Sequence, residues 1–333
     1  MSTRPTYVTE EQFEAAWACV RQHVHHTPML ASRRLSEEMG LDVVLKAELF
    51  QRTGSYKIRG ALNKIRLLDE EARARGVICS SAGNHAQGVA LAAALNDVRS
   101  VVVMARNATP SKVAATKAYG AEVILHGEIW DEANQEAMRL VSERGYTFLH
   151  PFDDLDLIAG QGTVGMEMME QAGVLGLRPD IVLVGASGGG LIGGVSLAVK
   201  ETSPATLIYS VEPAGFDDLA RSLAHGQRER NERLSGSICD ALMSATPGEI
   251  TFEVARRNLA GGLAVTDEEA KAAVRFAFRE LKLVVEPGGA VSLAAILARK
   301  LPLEGKTVMA VLSGGNIDPA LFAEIIQEPR QAA

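Results

Sequence analysis

The sequence predicts an α/β protein whose strands are mostly parallel. Short runs rich in Val, Ile and Leu alternate with longer Ala-rich stretches in which apolar residues recur at helical spacing. This alternation is typical of parallel sheets covered by helices. The 333 residues, 47% of them apolar, are enough for about two domains with their own cores.

Each predicted strand is a short apolar run, and each predicted helix is an Ala-rich segment with helical spacing. The strands are expected at residues 43–46, 76–80, 100–105, 121–126, 181–186, 206–212 and 307–313. The helices are expected at residues 84–95, 111–119, 131–144, 267–282 and 289–299. A domain boundary is expected near residues 150–154, where a Pro and two Asp follow a strand-like run.

Composition excludes several classes of function. The chain carries 34 basic and 41 acidic residues, and the basic ones are scattered, so nucleic acid is not an expected partner. The cysteines, Cys19, Cys79 and Cys239, are far apart and form no CxxC pair, which fits a reducing cytoplasm rather than a disulfide framework or a Cys-based zinc site. No run approaches the roughly 20 apolar residues that span a bilayer, and we expect neither export nor membrane attachment.

A glycine-rich turn follows the strand predicted at 181–186. Ser187 to Gly190 precede a helical segment, and backbone N–H groups at such a helix start bind phosphate. Gly188 to Gly193 also satisfy GxGxxG, and Glu212 ends the next strand, where a dinucleotide-binding fold places its ribose-binding acid. On this segment alone, an NAD site and the phosphate site of another cofactor are equally supported.

The stretch TGSYKIRGA at residues 53–61 favours another cofactor. Gly54 and Ser55 predict a turn with Ser55 as N-cap, which places Lys57 in the first turn of a helix. The helix dipole and burial both disfavour a charged lysine there, and a lowered pKa is what a lysine needs to bond a carbonyl carbon. A solvated lysine is the alternative, but a phosphate loop elsewhere in the chain favours the functional interpretation.

Several motifs, in order along nearly the whole chain, resemble those of the pyridoxal-phosphate (PLP) enzymes of the tryptophan-synthase-β fold, also called fold type II. Within that group the chain most resembles threonine/serine dehydratases and serine racemases. The motifs are TGSYKIRGA (53–61), SSAGNHAQG (80–88), IAGQGT (158–163), SGGGL (187–191) and SGGNID (313–318).

The resemblance implies two open α/β domains with mostly parallel twisted sheets and PLP in the cleft between them. Residues 1–50 and 152–333 would form the large PLP-binding domain, and residues 51–151 a small inserted domain. We also expect a homodimer, and no C-terminal regulatory domain.

The resemblance further implies roles for individual residues. Lys57 would bind PLP covalently and later take the Cα proton of the substrate, and Ser313 would face the pyridine nitrogen. Asn84 would bond the ring hydroxyl, and Glu286 would lie near the cofactor, although an acid at a helix N-terminus is a competing explanation. The phosphate would be held by Ser187, Gly188, Gly189, Gly190 and Leu191.

The substrate carboxylate would be received by the turn that opens the helix at residue 84. Its members are Ser81, Ala82, Gly83, Asn84 and His85, and for His85 helix capping is the alternative. Ala82 stands where serine racemases carry the Ser that transfers a proton on the face opposite the lysine. Because a methyl group cannot transfer a proton, elimination is favoured over racemisation.

We therefore predict a PLP-dependent ammonia-lyase that removes water from L-threonine and/or L-serine and releases a 2-oxo acid and ammonia. The Ser313 hydroxyl stabilises a pyridinium less than an Asp would, and this weaker electron sink suits β-elimination. The alternatives are another 3-hydroxy amino acid (3-hydroxyaspartate or phenylserine), a serine racemase, an NAD-binding oxidoreductase and a non-catalytic amino-acid sensor.

A second site is predicted in YSVEPAGFDD, residues 209–218. Glu212, the Phe216 carbonyl and Asp218 can converge on one point, and a set of oxygen ligands suits Mg²⁺, Mn²⁺ or Ca²⁺. The spacing resembles the divalent-cation site of serine racemases and some dehydratases. An ordinary acidic loop is the alternative.

Overall fold

The computed structural model describes residues 8–327. Its strands are β1 (Met29–Ala31), β2 (Asp42–Ala47), β3 (Val77–Ser80), β4 (Ser100–Met104), β5 (Glu122–Leu125), β6 (Thr147–Phe148), β7 (Ile181–Gly185), β8 (Leu207–Pro213), β9 (Gly261–Val265) and β10 (Thr307–Leu312). Its helices are α1 (Glu10–Val20), α2 (Arg33–Met39), α3 (Lys57–Arg66), α4 (Glu70–Arg75), α5 (Asn84–Ala94), α6 (Pro110–Ala118), α7 (Trp130–Arg144), α8 (Leu155–Val174), α9 (Gly190–Thr202), α10 (Asp218–His225), α11 (Glu249–Asn258), α12 (Asp267–Phe276), α13 (Pro287–Leu297) and α14 (Pro319–Gln327).

Within residues 8–327 the strands form a six-stranded and a four-stranded sheet. The larger has the order β1-β2-β10-β7-β8-β9 and is parallel except for the antiparallel pair β1-β2. The smaller has the order β5-β4-β3-β6 and is parallel throughout. The predicted α/β class with mostly parallel sheets is confirmed.

The smaller sheet draws only on residues 77–148, whereas chain on both sides of it contributes to the larger sheet. The predicted domain limits at 50 and 151 stay a prediction. Residues 1–7 and 328–333 of the predicted large domain lie outside the described part of the chain.

All the predicted strands are present, and none of their ends differs by more than one residue. The sequence did not predict β1, β6 and β9, which all lie at sheet edges. Edge strands are partly exposed, and β9 opens with two glycines, so the continuous apolar run that identifies a buried strand is missing.

The helix predicted over 267–282 is wrong in its last residues. The α-helix α12 ends at Phe276, and a π-helical turn follows over Ala277–Leu281. Lys282 then has a positive φ of 61°, which ends the helical path.

The large sheet is covered on both faces. Along β10, Val308, Ala310 and Leu312 face a core shared with α12 and α13, whereas Met309 and Val311 face a core shared with α8 and α9. This is the period of two expected of a strand buried on both sides. Among residues 8–327, no helix combines the length and apolar character needed to cross a bilayer.

The parallel strands bring distant parts of the chain to the same edges of the sheets. The chain leaves β2 toward Lys57, leaves β7 into the glycine-rich turn and leaves β10 at Ser313. In the smaller sheet, β3 leads directly into the turn before α5. Open α/β folds bind ligands at such carboxyl edges, so these segments define the candidate site.

Candidate active site

Lys57 is the first residue of α3. The expectation that Ser55 caps this helix is wrong, because Tyr56 occupies the capping position and Ser55 pairs with Gly314 in an antiparallel bridge. The half-buried Lys57 donates a hydrogen bond from Nζ to the Pro151 carbonyl at 2.8 Å. Burial lowers the pKa of Lys57 to about 8, so the neutral amine, which is the nucleophilic form, is accessible near neutral pH.

A buried histidine lies close to this amine. Burial first, and then repulsion by Lys57, lowers the pKa of His85 to about 3, so its ring is neutral. Its Nε2 lies 3.0 Å from the Leu149 carbonyl and must be the donor, because a carbonyl only accepts. The side chain therefore does not cap α5, whose N-cap is Gly83. Only the backbone N–H of His85 is left to meet a substrate carboxylate.

The glycine-rich turn is packed tightly from behind. A Cβ on Gly188 would lie 2.3 Å from the ring of Phe152, and a Cβ on Gly189 would lie 2.8 Å from the Thr251 Cβ. Gly189 also has a φ of +96°, which L side chains rarely adopt. Thr251 Oγ1 donates to the Gly188 carbonyl at 2.6 Å. The turn thus requires glycine, and it presents the backbone N–H groups at the start of α9 as an anion site.

The ends of the predicted phosphate loop have separate contacts. Ser187 Oγ accepts a hydrogen bond from the Ser244 N–H at 3.1 Å, so this side chain anchors a neighbouring segment. Gly190 is the first residue of α9, and Leu191 packs into the core under the turn.

The turn between β3 and α5 is ordered by its own side chains. Ser81 Oγ accepts from the Gly83 N–H at 3.3 Å, with Ala82 between them. Asn84 then donates from Nδ2 to Glu286 Oε1 at 2.6 Å and accepts on Oδ1 from Asn316 Nδ2 at 2.7 Å. Asn84, at the start of α5, therefore links the helix after β3 of the smaller sheet to two segments of the larger-sheet region, the residue before α13 and the loop after β10.

Glu286 and Ser313 lie on the large-sheet side of the site. Glu286 directly precedes α13, which agrees with the explanation that it is an acid at a helix N-terminus. It also accepts a hydrogen bond from Asn84, a predicted cofactor-binding residue. Burial, and then repulsion by Asp240, raises the pKa of Glu286 to about 7. Ser313 follows β10, and its carbonyl accepts from the Tyr56 N–H at 3.2 Å, beside Lys57.

Some residues of the site were not predicted. Asn316 lies in the SGGNID motif, so its amide could have been proposed from the sequence, and it also donates to the Thr53 carbonyl at 2.8 Å. The Pro151 carbonyl that accepts from Lys57 is a backbone group, so no residue type in the sequence indicates its role.

The three aspartates near Pro151 have defined partners. Asp153 accepts backbone N–H groups at the start of α11, and Asp154 caps α8. Asp154 and Asp156 also each lie 2.8 Å from the Lys64 ammonium. The turn is therefore anchored on both sides.

Glu212 does not serve as a ribose-binding acid. Its side chain is buried, and each carboxylate oxygen accepts one backbone N–H of α10, from Leu219 at 3.1 Å and from Ala220 at 2.8 Å. The side chain is fully buried and leaves no surface for a ribose, so the structure does not support the NAD interpretation of GxGxxG.

The predicted cation site contains a buried pair of carboxyls. Asp218 Oδ1 accepts from Asn231 Nδ2 at 2.6 Å, whereas Asp218 Oδ2 is buried without a hydrogen-bond partner among the described residues. Burial raises the pKa of both Glu212 and Asp218, and repulsion by Asp218 raises that of Glu212 further. Phe216, which lies between Glu212 and Asp218 in the sequence, is also buried. Within residues 8–327, no group of three or more His, Cys, Asp or Glu side chains could hold a metal ion.

Lys57, whose pKa is lowered to about 8, lies close to the predicted phosphate-binding turn, because Pro151 contacts Lys57 and the next residue, Phe152, packs on Gly188. This combination defines an enzyme site for a phosphorylated aldehyde cofactor. Residues 20–314 match the family described as "Pyridoxal-phosphate dependent enzyme", and the chain belongs to this family.

Similar proteins have been named for several amino-acid reactions. The chain is 43% identical to the L-threonine ammonia-lyase of Thermotoga maritima, over 96% of this chain and 79% of that protein. It is 38% identical to the L-threo-3-hydroxyaspartate ammonia-lyase of Saccharomyces cerevisiae, over 92% and 93%. The solved structure of maize serine racemase superposes with a TM-score of 0.89 at 35% identity, covering 94% of this chain and 95% of that one.

The residues present fit PLP. The turn at Gly188 and Gly189 has no room for side chains and offers backbone donors to a phosphate, and Lys57 offers an amine to an aldehyde. PLP supplies the electron sink for bond breaking at the substrate Cα, and the protein supplies the base and the orientation.

The lowered pKa of Lys57 predicts how the cofactor-free protein recaptures PLP. Only the neutral amine attacks the aldehyde, so the capture rate should rise with pH and level off above about 8. A lysine with an ordinary pKa would keep gaining rate up to about pH 10.4. Stopped-flow absorbance across this range measures the profile, and a continued rise past pH 9 would contradict the assigned environment of Lys57.

Proposed function

We propose that the chain is a PLP-dependent ammonia-lyase that converts L-threonine and/or L-serine to a 2-oxo acid and ammonia by β-elimination of water. The observation that carries the proposal is the Lys57 amine, held at 2.8 Å from a carbonyl beside the phosphate turn with a pKa lowered to about 8. Relatives at 38–43% identity that are named for L-threonine support the same reaction.

The residues of the chain divide the work as follows. The N–H groups at the start of α9 hold the cofactor phosphate, and those at the start of α5 receive the substrate carboxylate. Lys57, in its neutral form, takes the Cα proton. Asn84, fixed by Glu286 and Asn316, would bond the ring hydroxyl, and Ser313 would face the ring nitrogen.

The substrate itself is tested by a panel assay. Purified protein with PLP should release 2-oxo acid from L-threonine and L-serine with a higher kcat/KM than from L-threo-3-hydroxyaspartate or phenylserine. The hydroxyaspartate alternative is favoured by one observation, the yeast relative named for that substrate. A preference for hydroxyaspartate in the panel would replace the substrate while leaving the reaction type intact.

Ala82 predicts that the enzyme eliminates and does not racemise. Half-exposed Ala82 lies in the turn that would hold the substrate, and its methyl group cannot deliver a proton to the second face of Cα. With L-serine, chiral chromatography should find pyruvate in large excess over D-serine. Ala82→Ser should raise D-serine formation, and equal rates of the two products in the wild type would contradict the assignment.

We also propose a divalent-cation site at Glu212, the Phe216 carbonyl and Asp218. The unpartnered, buried Asp218 Oδ2 supports it, because a buried carboxylate oxygen needs a partner, and repulsion by Asp218 raises the pKa of the neighbouring Glu212. A bound Mg²⁺, Mn²⁺ or Ca²⁺ would satisfy this oxygen and remove the repulsion.

Cation binding should be visible as a rise in Tm. A ligand that binds only the folded state stabilises it by RT ln(1 + [L]/Kd), about 2.7 kcal/mol at one hundred times Kd. After EDTA treatment, added Mg²⁺, Mn²⁺ or Ca²⁺ should raise the Tm of the wild type, and Asp218→Asn should abolish the response. A wild-type Tm that ignores all three cations would leave an ordinary acidic loop.

The remaining proposals concern the assembly. We propose a large domain of residues 1–50 and 152–333, a small domain of residues 51–151, a homodimer and a cytoplasmic location. Exposed apolar side chains support the dimer: Phe50 is 46%, Phe278 37% and Val284 43% exposed in the single chain. Light scattering of the purified protein measures the mass directly, and a monomer would reject the dimer.

A further inference from the structure

One turn touches both the amine and the phosphate loop. The Pro151 carbonyl accepts the hydrogen bond from Lys57 Nζ at 2.8 Å. The ring of the next residue, Phe152, fills the space where a Cβ of Gly188 would lie. The conformation of this turn therefore sets where the free amine rests relative to the phosphate loop.

The side chain of His150 shapes the turn. Its Nδ1 lies 2.8 Å from the Asp153 N–H and 3.3 Å from the Phe152 N–H. Backbone N–H groups only donate, so Nδ1 accepts both bonds, and the neutral ring carries its proton on Nε2. These two bonds wrap the chain around the imidazole and aim the Pro151 carbonyl at Lys57.

Burial keeps His150 in the neutral, accepting form. Burial lowers the pKa of His150, and repulsion by Lys57 acts in the same direction, whereas Asp153 and Asp154 oppose the shift. Two other titratable groups lie beside Lys57: His85 is neutral because of its own burial, and burial likewise raises the pKa of Tyr56, which keeps its hydroxyl neutral. A protonated His150 would lose both bonds from the turn.

The turn also has supports that do not involve His150 as an acceptor. The imidazole packs edge-on against Phe152 at 4.7 Å between ring centroids. The Asp153 carboxylate accepts from the Ile250 N–H at 2.9 Å and the Thr251 N–H at 3.1 Å. A variant that loses only the imidazole acceptor is therefore expected to fold, with the turn loosened locally.

We propose that His150 is a positioning residue that holds the Pro151 carbonyl at the resting place of the free Lys57 amine. The role rests on the proposed function, in which this amine is the base. The proton moves from the substrate Cα to Nζ, the electron pair of the broken C–H bond stays with the substrate, and the new ammonium donates to the Pro151 carbonyl. A charge-assisted bond at this position stabilises the protonated base and keeps it on one face of the substrate.

The first test measures Lys57 without any turnover. In the full-length protein freed of cofactor, competitive acetylation with acetic anhydride, quantified by peptide mass spectrometry across neutral and alkaline pH, reports the pKa of Lys57. We expect His150→Leu to lower it by about one unit, because the ammonium loses a well-placed acceptor. General loosening of the structure would instead admit water and raise the pKa toward its ordinary value, so the sign separates the two explanations.

Two variants serve as controls for this measurement. In His150→Asn, the amide Oδ1 can accept the same backbone N–H groups, as asparagines do in Asx turns, so the pKa of Lys57 should return toward the wild-type value. His126→Leu removes an exposed histidine that directly follows β5, and it should leave the pKa of Lys57 unchanged.

The second test uses the holoenzyme. Exchange of the substrate Cα hydrogen for deuterium, followed by NMR, and kcat should both fall by about 10²-fold in His150→Leu with KM little changed, since a small misplacement of a base costs about that much. His150→Asn should restore most of the loss. A pKa of Lys57 that stays unchanged or rises in His150→Leu, or a failure of His150→Asn to restore it, would overturn the proposal. A wild type that makes no 2-oxo acid, but whose Lys57 pKa responds as expected, would reject the proposed function alone.

Discussion

Lys57→Ala is expected to lower 2-oxo acid formation from L-threonine by at least about 10³-fold, because the variant loses both the amine that binds the cofactor and the base that takes the Cα proton. The phosphate turn at Gly188 to Gly190 is untouched, so PLP should still bind noncovalently. Rate measurements, together with the visible absorption of bound PLP before and after dialysis, check both parts.

Lys64→Ala is the matched control. Lys64 lies two turns further along α3 and binds Asp154 and Asp156, each at 2.8 Å, away from the amine of Lys57. The variant should keep its PLP absorption and most of its turnover. If Lys57→Ala retained wild-type turnover, Lys57 would not be the base, and the assignment of the site would be wrong.

The second large effect concerns a buried ion cluster beneath α3. Arg59, two residues after Lys57, donates to both oxygens of Glu48 at 2.8 Å and to Glu167 at 3.0 Å. The Lys46 ammonium also bonds Glu167, at 2.5 Å, and all four side chains are at most 1% exposed. The two cations and the two anions thus balance each other's charge out of contact with bulk solvent.

Glu167→Ala is expected to destabilise the protein by about 3–5 kcal/mol, because it leaves two buried cations with a single carboxylate. Burial alone would raise the pKa of Glu167, but Arg59 and Lys46 lower it overall. A lowered folded pKa means that this stabilisation is present above the ordinary glutamate pKa and is lost as pH falls through the folded value. Urea unfolding at neutral pH, followed by circular dichroism, measures the free energy.

Glu143→Ala provides the comparison on the surface. Glu143 pairs with Arg139 on α7, and both side chains are about half exposed. Exposed pairs contribute below about 1 kcal/mol, so the urea midpoint should scarcely move. A Glu167→Ala protein as stable as Glu143→Ala would show that the cluster does not hold α3 in place.

Local patterns predicted most of the fold, because most strands are buried on both faces and therefore read as continuous apolar runs. The residues 100–105 and 307–313 are examples, and β4 and β10 lie there. The edge strands β1, β6 and β9 escaped because pairing on one side leaves them partly exposed. Each of these strands is defined by pairing with a strand elsewhere in the chain, and no local sequence pattern indicates that pairing.

The same division applies to the site. Motifs whose chemistry is local, such as the glycines of 188–190 and the lysine at 57, could be predicted from residue type and order. The Pro151 carbonyl, the ring of His150 and the Lys46–Glu167 pair could not, because their roles depend on contacts between residues that are far apart in sequence. Glu212 was assigned to two different ligands from its sequence position; its burial against α10 leaves no surface for a ribose, and the cation stays a prediction.

The central claim is that this chain eliminates water from a hydroxyamino acid by PLP chemistry with Lys57 as the base. Its most direct test is the incubation of purified protein with PLP and L-threonine, followed by quantification of 2-oxobutanoate and ammonia. We predict that both products form in a one-to-one ratio, that removal of PLP abolishes them and that added PLP restores them. Formation of neither product from L-threonine or L-serine, in protein whose absorption shows bound PLP, would contradict the claim.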